Sequence, residues 1–299
     1  MSIFNSIISA IFDGFFGLFG MLGGDAALWI FSALAGVLFL YIFKLTSNQA
    51  GIRRTKDRIA AGFLEVRLFK DDMGQMMRAQ GRIFGSAFRY MGHALKPMAF
   101  MIIPVLLMLI QLNLWYGYRP LEANTAEVPM QELLDRAGVS YDVPIDPDNT
   151  AVVKAKLQED VDLAGHDISL VASDGIKIVT PAVRVPDFSE VTWRIMATGE
   201  GEQNLTLRVG DAELTHAVYV GESDKFRKIE PIMARGAWAE LWNPGLPPLP
   251  GDAPVVEFSV EYPEAQANLL GFEMHWVIVF LILSLVFGFA LKGFLGVEI

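Results

Sequence analysis

The stretch KLTSNQAGIRRTKDRIAAGFLEVRLFKDDMGQMMRAQGRIFGSAFRYMGHALK, residues 44–96, decides how this chain is threaded. It carries 11 Lys and Arg residues against four acids, in a protein whose net charge is −10. On both sides lie apolar runs of hydrocarbon length. Residues 26–43 carry no charge between Asp25 and Lys44, and 18 residues at 1.5 Å each just cross a hydrocarbon core of about 30 Å. Residues 97–118 lie between Lys96 and Arg119 and end in Trp115, Tyr116 and Tyr118, the aromatic belt of a membrane interface. A third run, 276–291, is short but is extended by Met274 and the aliphatic stem of Lys292. Three spans are therefore expected. Because cytoplasmic loops are enriched in Lys and Arg, the 44–96 loop is placed in the cytoplasm. Alternation then puts the N-terminus and residues 119–272 outside, in a multi-pass protein of the inner membrane.

Composition supports a membrane protein with one soluble domain: 53% of residues are hydrophobic and mean hydropathy is +0.37. Residues 118–270 hold 12 basic and 26 acidic side chains. Such an anionic surface excludes nucleic acid as a partner. With no cysteine, that domain depends on its own apolar core rather than on disulfides. The leading apolar segment lacks the basic start and cleavage pattern of a signal peptide and is expected to be retained.

Residues 1–24 read as an interfacial amphipathic helix. Phe4, Ile8, Phe12, Phe15 and Phe19 recur at helical spacing while Asn5, Ser9 and Asp13 take the other face. The stripe is expected to lie on the outer leaflet, the alternative being burial against the spans or a partner. Within the basic loop, Ile52, Ile59, Phe63, Val66 and Phe69 mark one helix, and Asp71-Asp72 offers an N-cap for a second. That second arm presents Met73, Met77, Ile83 or Phe84, Phe88 and Met91 on one side. Two such stripes predict an antiparallel hairpin over 47–96. Methionines Met73, Met76, Met77 and Met91 continue into Met98, Met101 and Met108. Flexible thioethers suit a surface that accepts many apolar shapes, and equally a hairpin core.

The order of elements, together with Lys96-Pro97-Met98, Pro104, Gln111 and Trp115-Tyr116, resembles the conserved core of the YidC-type membrane protein insertases, especially their minimal three-span members. The resemblance covers about residues 1–118 and the last span. It implies a membrane groove open to the cytoplasm that shelters the polar flank of a client, lined here by Gln111 and Asn113, with Lys44, Ser47 and Asn48 at its mouth. Where bacterial members place an Arg in the groove, residues 26–43 here are uncharged. The partners implied are lipids and nascent or client membrane proteins. A structural subunit of a larger envelope complex and a sensor are the other readings.

Period-2 runs at 168–171, 176–179, 183–185, 191–195, 205–209, 214–220 and 256–260, punctuated by Gly, Pro and Asp, predict a β-sandwich over 119–272. A short helix is expected at 131–137 and a rigid proline-rich loop at 243–254. His166 and His216 lack metal-ligand spacing and are expected at the surface. The Asp-rich segment 142–148 lacks a calcium-loop pattern. No nucleophile motif, phosphate loop or dinucleotide fingerprint appears. Neither enzyme activity nor a metal or other cofactor is expected.

Overall fold

A computed structural model describes residues 2–123, 149–159, 161–163, 165–222 and 226–298. The expected helix at 131–137 and the Asp-rich segment 142–148 lie outside the described residues. The chain divides into two compact units. One comprises Met1–Gly23 and Ile110–Ala267, the other Gly24–Leu109 and Asn268–Ile299.

The second unit is helical. Helix α2 (Gly24–Thr46) and the last helix, α6 (Trp276–Leu295), extend the apolar runs by about a turn beyond their charge-free cores. Helix α3 (Gln49–Leu68) starts on Asn48, whose side chain accepts from the Gly51 amide at 2.9 Å. The turn after α3 ends at Asp72, whose carboxylate accepts from the Gln75 amide at 3.0 Å, the cap expected from the sequence.

The second arm and the second span were expected as separate helices meeting at Pro97. They form one helix, α4 (Met73–Tyr116), 44 residues long with Pro97 and Pro104 inside it. A proline removes one hydrogen bond and strains the preceding turn, yet the helix continues through both. Among the described residues, four helices, the N-terminal one included, are long and apolar enough to cross a membrane.

Within this unit α2 and α6 cross closely. A Cβ on Gly36 would clash with the Ser284 backbone carbonyl, and Gly288 faces the Gly36 carbonyl across the same crossing. Small residues let two backbones approach where lipid offers no hydrophobic drive for association. At one end of these helices Leu40, Phe43, Ile52 and Val297 form a buried cluster, with Tyr90, Met101, Leu291 and Leu295 packed around it. The tail returns to α3: the Glu298 amide donates to Gln49 Oε1 at 2.7 Å, and Lys56 pairs with the Glu298 carboxylate at 3.5 Å.

The first unit holds the β domain, helix α1 (Ser2–Phe19) and the last turns of α4. One antiparallel sheet has the order β3 (Ile176–Ile178), β5 (Glu190–Ala197), β1 (Thr150–Leu157), β9 (Val255–Glu261), β8 (Ile232–Ala234), with β4 (Val183–Val185) also on β5. A second has the order β2 (Ile168–Ala172), β6 (Gly201–Val209), β7 (Ala212–Val220). Both contribute to one buried cluster, with Val153, Trp193, Ile195 and Phe258 from the first sheet and Leu170, Leu205, Leu207 and Val218 from the second. A short hairpin, β10 (Ala267–Leu269) and β11 (Phe272–Met274), precedes α6.

The seven expected strands are all present. β1, the strand that joins β5 to β9, is an addition: Ala151, Val153, Ala155 and Leu157 point inward while Val152, Lys154 and Lys156 alternate outward. The chain enters and leaves the domain side by side. The Arg119 amide donates to the Pro263 carbonyl at 3.0 Å, and the Ala265 amide donates to Gly117 at 3.2 Å.

Replacing Gly36 by Leu should separate α2 from α6 and destabilise the protein by about 1–3 kcal/mol, the usual cost of forcing side-chain volume into a packed contact. Equilibrium unfolding of the full chain in detergent measures it, with Leu38→Ala on the exposed side of α2 as the control.

Candidate functional site

Three points fix the hairpin as antiparallel: Gly51 lies against the His93 ring, a Cβ on Gly62 would lie 2.5 Å from Ile83 Cγ1, and Glu65 pairs with Arg82. The inward face of the second arm is therefore Ala79, Ile83, Ser86, Tyr90 and His93, spaced four, three, four and three residues apart. This corrects the expected hairpin core. Met73, Met77, Phe84, Phe88 and Met91 are all exposed, Met76 is half-buried, and Phe63 on the first arm is exposed as well. The physical reason is size. Gly62, Ala79 and Ser86 bring the arms together, and the bulky side chains are left on the outside.

The exposed residues form an ordered stripe. Met77, Phe84, Phe88, Met91, Leu95, Met98 and Ile102 follow one another at intervals of seven, four, three, four, three and four residues, the period of one helix face. At 1.5 Å per residue the stripe runs about 37 Å. It continues without a break from the arm into the apolar part of α4. Beside it runs a row of exposed cations, Arg78, Arg82, Arg89 and Lys96. Soluble surfaces rarely show an apolar band of this length unless something binds it.

The polar residues expected to line a groove are otherwise engaged. Gln111 is buried, and its amide nitrogen donates to Ser9 Oγ at 3.1 Å. Asn113 borders a cleft of only about 20 Å³ beside Tyr118 and Trp242. Lys44 donates to the Leu295 carbonyl at 2.7 Å, Ser47 is hydrogen-bonded to Gln49, and Asn48 caps α3.

Helix α1 is held along its length by its polar residues. Asn5 Nδ2 donates to the Glu240 carbonyl at 2.7 Å, Ser9 meets Gln111, and Asp13 receives Lys228 Nζ at 3.2 Å. Phe16 enters an aromatic cluster with Trp115, Tyr116 and Phe226, at centroid distances of 5.2 to 5.9 Å. The expected membrane stripe is therefore corrected. Phe12 is buried, Ile8, Phe15 and Phe19 are half-buried, and the exposed apolar face is Phe4, Ile7, Ile11 and Leu18. The side toward the protein mixes Asn5, Ser9 and Asp13 with Phe12 and Phe16, and the apolar residues Phe4, Ile7, Ile11 and Leu18 face outward. Tyr116, expected in an interfacial belt, is buried in the same cluster.

Electrostatics in the β domain are structural. Burial works against the charge of Lys228, but the Glu230 carboxylate at 2.9 Å and Asp13 at 3.2 Å outweigh it and hold the ammonium pKa above its ordinary range. His216, expected at the surface, is fully buried on β7, edge-on to Phe258, with its ring nitrogens 2.8 Å and 3.2 Å from the carbonyls of Ala217 and Pro231. Desolvation lowers its pKa from 6.5, against the opposing pull of those two carbonyls. His166 is exposed. No family model matches this chain, and no curated protein or solved structure is similar to it.

The depressed pKa of His216 fixes a sign. The unfolded chain binds a proton near pH 6.5 that the folded domain resists, so the stability this group contributes is complete above that pH and is lost as the pH falls below it. Unfolding midpoints between pH 7 and about 5 should therefore decline, and His216→Gln should flatten that part of the profile.

Proposed function

We propose that the chain is an insertase or chaperone-like membrane protein whose cytoplasmic hairpin captures apolar client segments and passes them along α4 to the bilayer. The observation that carries this reading is the Met/Phe stripe from Met77 to Ile102. It is apolar, exposed among the described residues, rich in conformationally adaptable methionine, and continuous with the apolar part of the helix. Binding on such a stripe removes client and hairpin hydrocarbon from water together, at roughly 25 cal/mol for each Å² buried. Release to lipid needs no new driving force, because the bilayer is as apolar as the stripe. The adjoining cations hold the hairpin near anionic headgroups.

The topology that accompanies this reading has three spans: α2, the part of α4 after Lys96, and α6. The basic hairpin faces the cytoplasm by positive-inside logic. The β domain, read as a sandwich from its two sheets and shared core, lies outside. Helix α1 rests on the outer leaflet with Phe4, Ile7, Ile11 and Leu18 toward lipid. The insertase resemblance supports the same order of elements. A second reading, a structural subunit of a larger envelope complex, is favoured by Trp238 and Trp242, which stand exposed one turn apart on α5 (Ala237–Trp242).

Photocrosslinking in living cells separates the two readings. A photoreactive residue at Phe84 or Phe88 should label a spread of nascent membrane proteins, and Phe84→Ser with Phe88→Ser should reduce client capture several-fold. One repeated partner, from Phe84 and from Trp238 alike, identifies a structural subunit. Topology has its own test: the chain has no cysteine, so single cysteines at Ala60 and Glu213 can be labelled without background. They should react from opposite sides of the membrane.

A further inference from the structure

An apolar slot of about 230 Å³ opens between the three long helices of the second unit. Phe39 and Phe43 of α2, Met98 and Met101 of α4, and Leu285 and Phe289 of α6 form its walls. Its floor is the close crossing of Gly36 with Ser284 and Gly288. Apart from the Ser284 hydroxyl, which donates to the Leu281 carbonyl at 3.1 Å, every side chain that lines it is apolar.

The slot sits at the lysine-bearing end of the helices. Lys44 directly follows the wall residue Phe43, and Lys96 lies two residues before Met98. Lys292 Nζ stands 5.5 Å from the centroid of the Phe289 ring, over the wall itself. Lys44 donates one of its three N–H groups to the Leu295 carbonyl at 2.7 Å, which leaves two for an anion. Slot and rim therefore ask for one ligand with a hydrocarbon tail and an anionic head.

Size narrows the choice further. Pockets that enclose a drug-sized molecule run from roughly 300 to 1,000 Å³, and a helix with its side chains is about 10–12 Å across. The slot is too small for a client helix. Its volume suits a segment of one extended hydrocarbon chain, and basic sites between helices at the cytoplasmic face suit anionic lipid heads.

We infer that the slot takes one acyl chain of an anionic phospholipid from the leaflet on the hairpin side, with its headgroup held by Lys292 and Lys44. Such a chain fills space that the α2–α6 crossing leaves open and ties α4 to the other two helices. The slot shares Met98 with the stripe, but its other walls, Met101 and the residues of α2 and α6, lie outside it, and client capture on the hairpin arm does not enter into it.

The test uses the full chain in nanodiscs of mixed phosphatidylcholine and phosphatidylglycerol, with a diazirine on one acyl chain of either lipid. Labelling by the phosphatidylglycerol probe should concentrate on Phe39, Met101 and Leu285 and exceed that by the phosphatidylcholine probe. Lys292→Gln should reduce that preference about five-fold, the equivalent of the ~1 kcal/mol that one basic residue contributes beside an anionic membrane surface, whereas Lys292→Arg should keep it. Met101→Trp, which plugs the slot, should remove the labelling at Phe39 and Leu285 while leaving that of the outward residues Ile102 and Ile103 unchanged. Equal labelling by the two probes, or labelling of Ile102 and Ile103 as strong as that of the slot, would overturn the site. So would a photoreactive residue at Phe289 that captures a protein segment instead of lipid.

Discussion

Where Gly36 of α2 meets the backbone of Ser284 in α6, two helices approach so closely that no side chain separates them. Lipid is as apolar as leucine, so helices in a membrane gain little by hiding leucine from it, and close contact between small residues takes over. Much of the helical unit follows from this crossing. It brings Phe43, Leu291 and Leu295 together, gives Ile52 of the hairpin a site to pack against, and leaves the slot beside it, because α4 does not follow the same close path.

Two parts of the molecule turn bulky apolar side chains outward. Helix α1 spends Asn5, Ser9 and Asp13 on contacts with the protein and turns Phe4, Ile7 and Ile11 outward. The second hairpin arm turns Ala79 and Ser86 inward and Phe84 and Phe88 outward. In water either arrangement would waste apolar surface. Both become reasonable where the surroundings are hydrocarbon or an apolar partner.

The helical elements were legible because runs of uncharged residues bounded by Asp25, Lys44, Lys96, Arg119 and Lys292 leave few alternatives. The hairpin was legible from its Asp71-Asp72 turn. Which face of each helix points inward was not, since periodicity finds an apolar stripe without saying what covers it. Phe84 and Phe88 read equally well as core or surface until the small residues opposite are seen to set the spacing. The reach of Gln111 to Ser9 spans more than a hundred residues and leaves no local trace. Strand β1 escaped for a different reason: Ala151, Ala155, Lys154 and Lys156 are ordinary helix formers, and only pairing on both sides makes TAVVKAKL a strand. His216 was misplaced because a lone histidine in an alternating strand carries no sign of which sheet face is buried.

The position of that strand governs the order of events during synthesis. β1 is the first of the described strands to be made, and one of its two neighbours, β9, follows about a hundred residues downstream. The chains entering and leaving the domain are likewise joined only when residues 263–265 exist. Such distant pairing makes folding slow. Until the final strands arrive, the early part of the domain waits as an open edge. The acidic excess of this region keeps unfinished chains apart by mutual repulsion during that interval.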